Sequence, residues 1–364
     1  MSSRLRSLFG FQESGLLLVV LVLGLLLAGF GGSVQQPVLV RGADGEVTPQ
    51  LNAAGEKVLV TRNRFLNARN LAQLAKDTSF IGIMAVGMAV VIISGGIDLS
   101  VGAIYALAAV VSALVLRHLG ETGASAGMSV LLAVVVCVGM GLLCGLVNGG
   151  LIVGLRMHPF IITLGTMAIF RGIALVASGG QSIGDFPPAL QKIVKFEVGD
   201  GLTLVPPFVM VLVMIAGWIF LSRLAAGRRV FAVGGNEVAA QYSGIQVQKV
   251  KLGVYLWSGG LAGLAALLAM GYYGSASSGD ANGYELNVVA AAVVGGSSLT
   301  GGRGSALGAM LGALIIQMIT TGIIILGIDQ NYSQIITGSV VVAAVALDKF
   351  NTWLAQRRLA RRAD

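Results

Sequence analysis

The chain of 364 residues is 55% hydrophobic and only 11% charged, and its mean hydropathy is +0.86. A typical soluble domain carries about 25% charged residues, so this composition excludes an ordinary soluble protein and predicts an all-α polytopic membrane protein. The net charge of +8 does not indicate nucleic-acid binding, because the basic residues lie in short loops and a tail between apolar runs.

Ten apolar runs along the chain are candidates for membrane-spanning or re-entrant helices. The first follows Arg4 and Arg6, and its length predicts a retained membrane span, with a cleaved signal peptide as the alternative. The polar segment 32–77 is predicted to form a loop, in which residues 64–76 suit a short helix on the membrane surface. The ten runs lie at residues 15–31, 78–96, 99–116, 128–154, 159–178, 205–222, 252–273, 286–300, 305–328 and 333–348.

Lysine and arginine predict the orientation, because loops that stay in the cytoplasm are enriched in these residues. With the N-terminus inside, the basic segment 223–251 and the basic tail 349–364 also lie in the cytoplasm, together with residues 1–14. The loop 32–77 then lies on the outer side of the membrane. The predicted domains are therefore a cytoplasmic N-terminus, a transmembrane domain over 15–348 and a cytoplasmic tail.

Two glycine-rich stretches repeat each other within these apolar surroundings. Residues 95–102 read GGIDLSVG, and residues 295–302 read GGSSLTGG. The register continues without a gap into the following helix, where alanine and leucine recur at 106 and 306, 107 and 307, 109 and 309, 113 and 313, and 114 and 314. A duplicated apolar element broken by glycine is typical of a membrane pathway. A compositional bias toward glycine, alanine and leucine is the alternative.

Charged side chains inside the apolar runs are candidates for function, because burying a charge in the membrane is costly. Asp98 lies in the first copy of the repeat, where we expect it to cap the helix that follows, with substrate contact as a second role. Ser298 holds the matching position of the second copy and is also a capping residue type. Arg171 is expected to snorkel or to pair with a backbone carbonyl.

Small and polar residues add further candidates for a pathway through the membrane. Gly141, Gly145 and Gly149 recur at every fourth position and predict close packing of two helices, with Asn148 as a polar lining residue beside them. Thr163, near the start of the next span, carries a hydroxyl that suits the passage of a polyol. The candidate pathway residues are Asp98, Ser100, Asn148, Thr163, Ser298 and Thr300.

Catalytic and metal-binding motifs are absent from the sequence. It contains no GxxxxGK[ST] loop for nucleotide phosphates, no GxSxG element and no cluster of cysteine and histidine with metal-ligand spacing. His118 and His158 lie near opposite ends of spans and are too isolated to form a catalytic pair. We therefore expect no catalytic residue, no metal site and no cofactor bound to this chain.

The segment 227–251 is the most informative stretch outside the apolar runs. Gly234 and Gly235 are expected to break the chain, Asn236 to cap a short helix and Gly244 to end it. A short helix between glycines can dock into a groove of another protein, whereas a plain amphipathic loop anchored by its arginines is the alternative. The residues expected to make the contact are Gly234, Gly235, Asn236, Glu237, Ala239, Ala240 and Gly244.

Four motifs in this order make the chain similar to the ribose-type permeases, the membrane subunits of bacterial ATP-binding-cassette (ABC) importers for monosaccharides. The motifs are GGIDLSVG at 95–102, HPFIITLGTM at 158–167 with Arg171 and Gly172 after it, AVGGNEVAAQYSGI at 232–245, and GYELNVVAAAVVGGSSLTGG at 283–302. The resemblance extends from about residue 65 to residue 348. The polar insert at 33–63 is longer than is usual between the first two spans of this family.

The resemblance implies a permease of the type II importer class that pairs with a second copy, or with a related subunit, around a central pathway. It also implies cytoplasmic ABC ATPase subunits, which bind ATP and magnesium, and a periplasmic sugar-binding protein that delivers the substrate. Residues 236–244 are similar to the coupling helix of such importers, which receives the ATPase stroke.

The sequence therefore predicts a multi-pass permease of the bacterial inner membrane, surrounded by lipid, that imports a pentose, hexose or cyclitol. An ion-coupled secondary transporter of a small polar solute is the alternative. A membrane-embedded enzyme is a third class, but it needs a catalytic cluster that the sequence does not contain. Nucleic acid is not among the expected partners.

Overall fold

A computed structural model describes residues 11–41, 47–198 and 202–340, together with 342, 343 and 346. Most of these residues are helical, and within them eight helices are long and apolar enough to cross a membrane. These helices are α1 (Phe11–Phe30), α2 (Ala68–Ile93), α3 (Val101–Glu121), α4 (Ala126–Leu155), α5 (Pro159–Ser178), α7 (Val205–Arg223), α10 (Val247–Tyr273) and α12 (Ala306–Ile325).

Shorter elements connect the spans. The short helices are α6 (Ala189–Val194), α8 (Ala225–Gly235), α9 (Glu237–Tyr242) and α11 (Tyr284–Val294), followed later by a 3₁₀ turn (Gln330–Tyr332). Three antiparallel ribbons pair β1 (Ser33–Pro37) with β4 (Leu59–Asn63), β2 (Leu39–Arg41) with β3 (Val47–Pro49), and β5 (Glu197–Val198) with β6 (Leu202–Thr203). The prediction of an all-α membrane domain is confirmed, since the strands lie in connecting segments.

The loop predicted over 32–77 contains the ribbons β1–β4 and β2–β3 and ends earlier than expected. Asn67 caps α2 by accepting a hydrogen bond from the backbone N–H of Asn70 at 2.9 Å. The predicted surface helix over 64–76 is wrong, because α2 continues without a break from its first turn and buries the side chain of Lys76.

Three sequence predictions lie wholly or partly outside the described residues. The basic tail at 349–364 and residues 1–10 of the N-terminal segment belong to this part of the chain. Of the tenth apolar run, residues 333–340 are helical, and most of the remainder of that run is also outside the described residues.

The helices form a layered bundle with α2 at its centre. The most apolar 18-residue window of α2 is 94% buried, whereas that of α1 is only 6% buried, so α1 lies at the periphery. α2 packs against α7, α10, α11 and α12, and α3 packs against α4, α5 and α10. The polar candidates between α2 and α3 are consequently held in the middle of the bundle.

Close packing of α4 against α10 depends on glycine, as the sequence predicts. A Cβ atom on Gly141 would overlap the carbonyl oxygen of Gly259, and one on Gly145 would overlap the carbonyl oxygen of Tyr255. Further along, a Cβ on Gly149 would lie 2.9 Å from a methyl carbon of Leu252. The two backbones therefore touch along most of the contact, which is the role of small residues in membrane bundles.

The two copies of the repeat share a glycine turn but not a helix register. Gly95 in the first turn and Gly296 in the second both have positive φ, +84° and +94°. The following helices begin at Val101 and at Ala306, so the predicted ungapped register into the next helix is wrong. Its physical reason is that the second loop contains three further glycines with positive φ, which an α-helix cannot accommodate: Gly301, Gly302 and Gly304.

The helices on either side of the second repeat loop pack closely against each other. α11 and α12 form a tight antiparallel pair, in which Gly295 contacts Gly308 and Gly312 contacts the carbonyl of Ala291. α11 has 11 residues and is therefore about 16 Å long, too short to cross the membrane by itself.

We expect Gly141→Ala to lower the stability of the protein and Gly139→Ala to leave it unchanged or raise it slightly. Gly139, on the same helix, has no neighbouring atom within 4 Å of an added Cβ. Alanine is favoured over glycine in a helix by about 1 kcal/mol, but forcing two packed backbones apart costs about 1–3 kcal/mol. Denaturant unfolding in mixed micelles measures the difference, and equal unfolding midpoints for the two variants would contradict the packing described.

Candidate coupling site and buried polar network

One end of the bundle, which we call the basic end, gathers the turns at residues 94–96, 156–158 and 295–305 with the segment 224–246. The ends of α2 and α4 meet the start of α5 here, and α8 and α9 lie across them. The basic residues at this end are Arg156, Arg223, Arg228, Arg229, Lys249, Lys251 and Arg303.

The helix predicted after Asn236 is present as α9. The Asn236 side chain accepts a hydrogen bond from the backbone N–H of Ala239 at 2.9 Å, and Gly244 has φ of +80° just after the helix. The Glu237 carboxylate binds the ammonium group of Lys251 at 2.7 Å, which joins the first turn of α9 to α10. The predicted cap and stop are confirmed.

Gly234 and Gly235 do not break the chain, and the sequence prediction is wrong on this point. Both belong to the last turn of α8, and the chain leaves the helix at Asn236, whose φ is −160° and ψ is 102°. Gly234 is needed instead for a close approach, since a Cβ there would overlap the carbonyl oxygen of Ile93. That same carbonyl accepts a hydrogen bond from the backbone N–H of Gly302 at 2.9 Å.

These contacts form what we call the glycine junction, made by Ile93, Gly234, Gly301 and Gly302. A Cβ on Gly301 would lie 2.5 Å from the carbonyl oxygen of Gly234, so the second repeat loop also touches α8 directly. The junction therefore joins the end of the central helix, the segment next to α9 and the second repeat loop through backbone atoms alone.

α9 presents an apolar surface to its surroundings. Tyr242 is 90% exposed and Val238 is 62% exposed, while Ala240 on the opposite side is 5% exposed. Residues four apart lie on one face of a helix, so Val238 and Tyr242 form a single exposed apolar patch. Sequence reasoning missed both as contact residues, because a spacing of four residues does not show whether that face of the helix is buried or exposed.

Three clefts surround α9. One of about 740 Å³ lies between it and the end of α4, one of about 600 Å³ lies beside the start of α10, and one of about 450 Å³ lies over the turn at 94–96. The third is lined by Gly234, Gly235, Asn236 and Glu237, four of the predicted contact residues. α9 is thus a projecting element with open space on several sides.

Four of the six candidate pathway residues belong to one buried network. Asp98 accepts hydrogen bonds from the backbone N–H of Ser100 at 3.0 Å, from its hydroxyl at 2.6 Å, and from the hydroxyl of Ser258 on α10 at 3.1 Å. The Asn148 amide donates to the Ser100 hydroxyl at 2.7 Å. Thr163 donates to the carbonyl of Ile97 at 3.3 Å.

This network ties the segment between α2 and α3 to α4, α5 and α10. Asp98, Ser100, Asn148 and Thr163 are each 0% exposed, so none of them lines an open passage in this conformation. The amide oxygen of Asn148 is buried and has no hydrogen-bond partner among the described residues.

The two predicted helix caps lie elsewhere. α3 has Ser100 at its N-cap, so Asp98 closes the turn before the helix instead of capping its first turn. α12 is capped by Ser305, whose hydroxyl accepts from the backbone N–H of Gly308 at 2.9 Å, and not by Ser298. Ser298 and Thr300 form a separate pair in the second repeat loop, with their hydroxyl oxygens 2.9 Å apart.

Arg171 pairs with backbone carbonyls, one of the two alternatives that the sequence indicates. Its guanidinium group donates to the carbonyl of Ser278 at 2.7 Å and to that of Asp280 at 2.6 Å. These carbonyls belong to the non-helical segment 274–283 between α10 and α11. A charge-assisted bond to each carbonyl satisfies backbone groups that have no helical partner.

Within the described ranges, no group of three or more histidine, cysteine, aspartate or glutamate side chains could hold a metal ion. Among the described residues of the basic end, Lys251 pairs with Glu237 across α9 and α10, and Arg228 donates to the carbonyl of Arg223.

The chain matches one protein family over most of its length, residues 70–345, described as "Branched-chain amino acid transport system / permease component". It is 38% identical to the ribose import permease protein RbsC of Bacillus subtilis (strain 168), over 80% of this chain and 88% of that protein. It is 37% identical to the D-allose transport system permease protein AlsC of Escherichia coli (strain K12), over 78% of this chain and 85% of that protein. No solved structure gives a significant match.

We expect Gly234→Ala to disturb the glycine junction and Gly235→Ala to be tolerated. The first substitution places a methyl group on the carbonyl of Ile93, whereas the second adds one where no atom lies within 4 Å. Overpacking of this kind costs about 1–3 kcal/mol, so the apparent melting temperature of the purified protein should fall only for Gly234→Ala. Identical melting curves for the two variants would show that α8 does not approach Ile93 as described.

Proposed function

Because this chain belongs to the branched-chain amino acid transport system permease family, we propose that it is the membrane subunit of an ABC importer that carries a monosaccharide into the cytoplasm. The observation that carries this proposal is its identity with permeases named for ribose and D-allose import across most of the chain. The substrate class is then a pentose, a hexose or a cyclitol. The chain is a transport subunit and not an enzyme.

The energy for transport comes from partner subunits that bind ATP and magnesium. α9 is the coupling helix, and the exposed patch of Val238 and Tyr242 supplies the apolar contact that docks into the ATPase. Large aromatic side chains that become fully buried on binding contribute most to such interfaces. The other candidate residues, from Gly234 to Gly244, set the position of this patch.

The ATPase stroke reaches the membrane core through the glycine junction. α9 begins three residues after Gly234, and Gly234 contacts the end of α2 at Ile93 and the second repeat loop at Gly302. Backbone-to-backbone contacts have no rotatable side chain between them, so a displacement of α9 is transmitted with little loss. This arrangement supports coupling to both repeats together.

The buried network beside α3 is proposed to line the pathway when the bundle rearranges. Asp98, Ser100, Asn148 and Thr163 supply hydroxyl, amide and carboxylate groups that can exchange their mutual hydrogen bonds for those of a sugar. Ser298 and Thr300 offer the same chemistry nearer the basic end. The amide oxygen of Asn148, which has no partner among the described residues, could accept a substrate hydroxyl once the rearrangement exposes it.

The remaining partners and the orientation follow from the same proposal. The basic end faces the cytoplasm of the bacterial inner membrane, together with both termini, because its loops carry a cluster of arginine and lysine. The ribbons over residues 33–63 face the periplasm, where a sugar-binding protein delivers substrate. A second copy or a related subunit completes the pathway.

Uptake in liposomes tests the function. The purified permease alone should accumulate no sugar, and labelled D-ribose, D-allose and myo-inositol should be tested with the cognate ATPase and binding protein added. We expect ATP-dependent accumulation of at least one of these only in the complete assembly. Accumulation by the permease alone under a proton or sodium gradient would contradict the proposal and would favour an ion-coupled transporter.

Tyr242→Ala should weaken binding of the ATPase by about thirtyfold, because interface hot spots of this type cost about 2 kcal/mol or more on truncation. Titration of the ATPase onto the permease in nanodiscs measures this effect, with ATP-dependent uptake as the second readout. Tyr332→Ala is the matched control, since Tyr332 is also a well-exposed tyrosine (55%) but follows α12 at the other end of the bundle. Equal ATPase affinity for the two variants would rule out α9 as the docking helix.

A further inference from the structure

The cleft of about 600 Å³ beside α10 has features that the coupling role of α9 does not explain. It lies between the end of α7, the helix α8, the turn after α9 and the first half of α10. We call it the aromatic cleft. Its lining includes Phe220, Arg229, Lys249 and Trp257.

The wall of the aromatic cleft contains two stacked rings. Phe220 and Trp257 lie with their centroids 5.3 Å apart and their planes inclined by 13°. The indole N–H of Trp257 is buried and has no hydrogen-bond partner among the described residues. Because an indole N–H can only donate, its partner would be an oxygen atom of a ligand that accepts this hydrogen bond.

Two unpaired cations line the same cleft. Within the part of the chain that the structure describes, neither Arg229 nor Lys249 takes part in an ion pair or a side-chain hydrogen bond, and the lining contains no aspartate or glutamate. Neighbouring cations are different, since Lys251 binds Glu237 and Arg228 donates to a backbone carbonyl. The described lining of the cleft therefore carries a local charge of +2 that no carboxylate of this lining balances.

The position of the cleft relates it to the membrane surface. Phe220 lies one turn before the end of the span α7, and the preceding residues Leu212, Ile215 and Ile219 are exposed on the outside of the bundle at 41–48%. Such an apolar surface is suited to contact with acyl chains, and aromatic and basic side chains at the end of a span are typical of the level of the lipid headgroups. The cleft thus lies where a headgroup would be, beside a surface suited to acyl chains.

We infer that the aromatic cleft binds one anionic phospholipid from the leaflet at the basic end. The phosphate lies between Arg229 and Lys249, an ester or phosphate oxygen accepts the Trp257 N–H, and the first part of an acyl chain covers Phe220. A basic site between helices at the membrane surface is a known way to bind anionic headgroups. A lipid is favoured over a protein segment because the cleft adjoins the lipid-facing surface of α7.

This inference goes beyond the proposed import activity and does not depend on it. The bound lipid would touch α8, the turn after α9 and α10 together, so it would stabilise the base of α9 from the side opposite the Glu237–Lys251 ion pair.

Native mass spectrometry of the full chain in detergent tests the inference, with phosphatidylglycerol and phosphatidylcholine of identical acyl chains as probes. We expect the parent protein to retain one phosphatidylglycerol in preference to phosphatidylcholine. The double variant Arg229→Gln with Lys249→Gln should bind phosphatidylglycerol about thirtyfold more weakly, which corresponds to about fivefold for each cation. The single variant Trp257→Phe, which keeps a ring and removes the N–H donor, should also bind phosphatidylglycerol more weakly than the parent protein does.

The matched control is the double variant Arg156→Gln with Arg228→Gln, which removes the same charge from the basic end but outside the aromatic cleft. Equal losses in the two double variants, or no preference for phosphatidylglycerol in the parent, would overturn the inference. Melting temperatures without lipid must agree among the variants, so that unfolding is not mistaken for lost binding.

Two further arms separate the lipid from other occupants. Protection from heat by millimolar glycerol 3-phosphate equal to that by phosphatidylglycerol would assign the cleft to a soluble phosphate compound and contradict the lipid. Displacement of the lipid by the ATPase subunit would assign the cleft to the protein interface. Retention of the lipid with the ATPase bound supports the inference.

Discussion

The structure depends on how one helix end satisfies its backbone inside an apolar bundle. The last carbonyls of a helix have no intrahelical partner, and leaving them unpaired away from water is costly. Ile93, at the end of the most buried helix, receives the N–H of Gly302, and Gly234 touches the same oxygen. Because three distant segments meet at this one atom, the central helix, the second repeat loop and α8 are fixed relative to one another.

Much of the topology could be predicted because long apolar runs and end-capping residues act locally. The cap at Asn236 and the stop at Gly244 depend only on neighbouring backbone, and the structure contains both. The register of the second repeat could not be predicted in the same way. The alanines and leucines of the two copies are identical at matching positions, but the loops before them differ. Gly301, Gly302 and Gly304 have positive φ, so the helix of the second copy begins later than that of the first.

The buried polar network and the exposed patch of α9 could be predicted only in part, because their contacts join residues that are far apart in the sequence. Polarity within apolar runs identifies Asp98 and Asn148 as unusual, but the partner Ser258 lies 160 residues from Asp98 with no pattern to connect the two. Likewise, the apolar spacing of Val238 and Tyr242 fits a buried face as well as an exposed one. Only the packing of α9, which buries Ala240 instead, shows which face remains available.

Arg171 has a consequence for how the bundle can move. Its guanidinium group holds two carbonyls of the irregular segment 274–283 from the middle of α5. Releasing them would leave a partly buried guanidinium group and two peptide oxygens without these bonds, which is unfavourable. That segment and α5 should therefore travel as one rigid body, and any opening of the permease must hinge at other places.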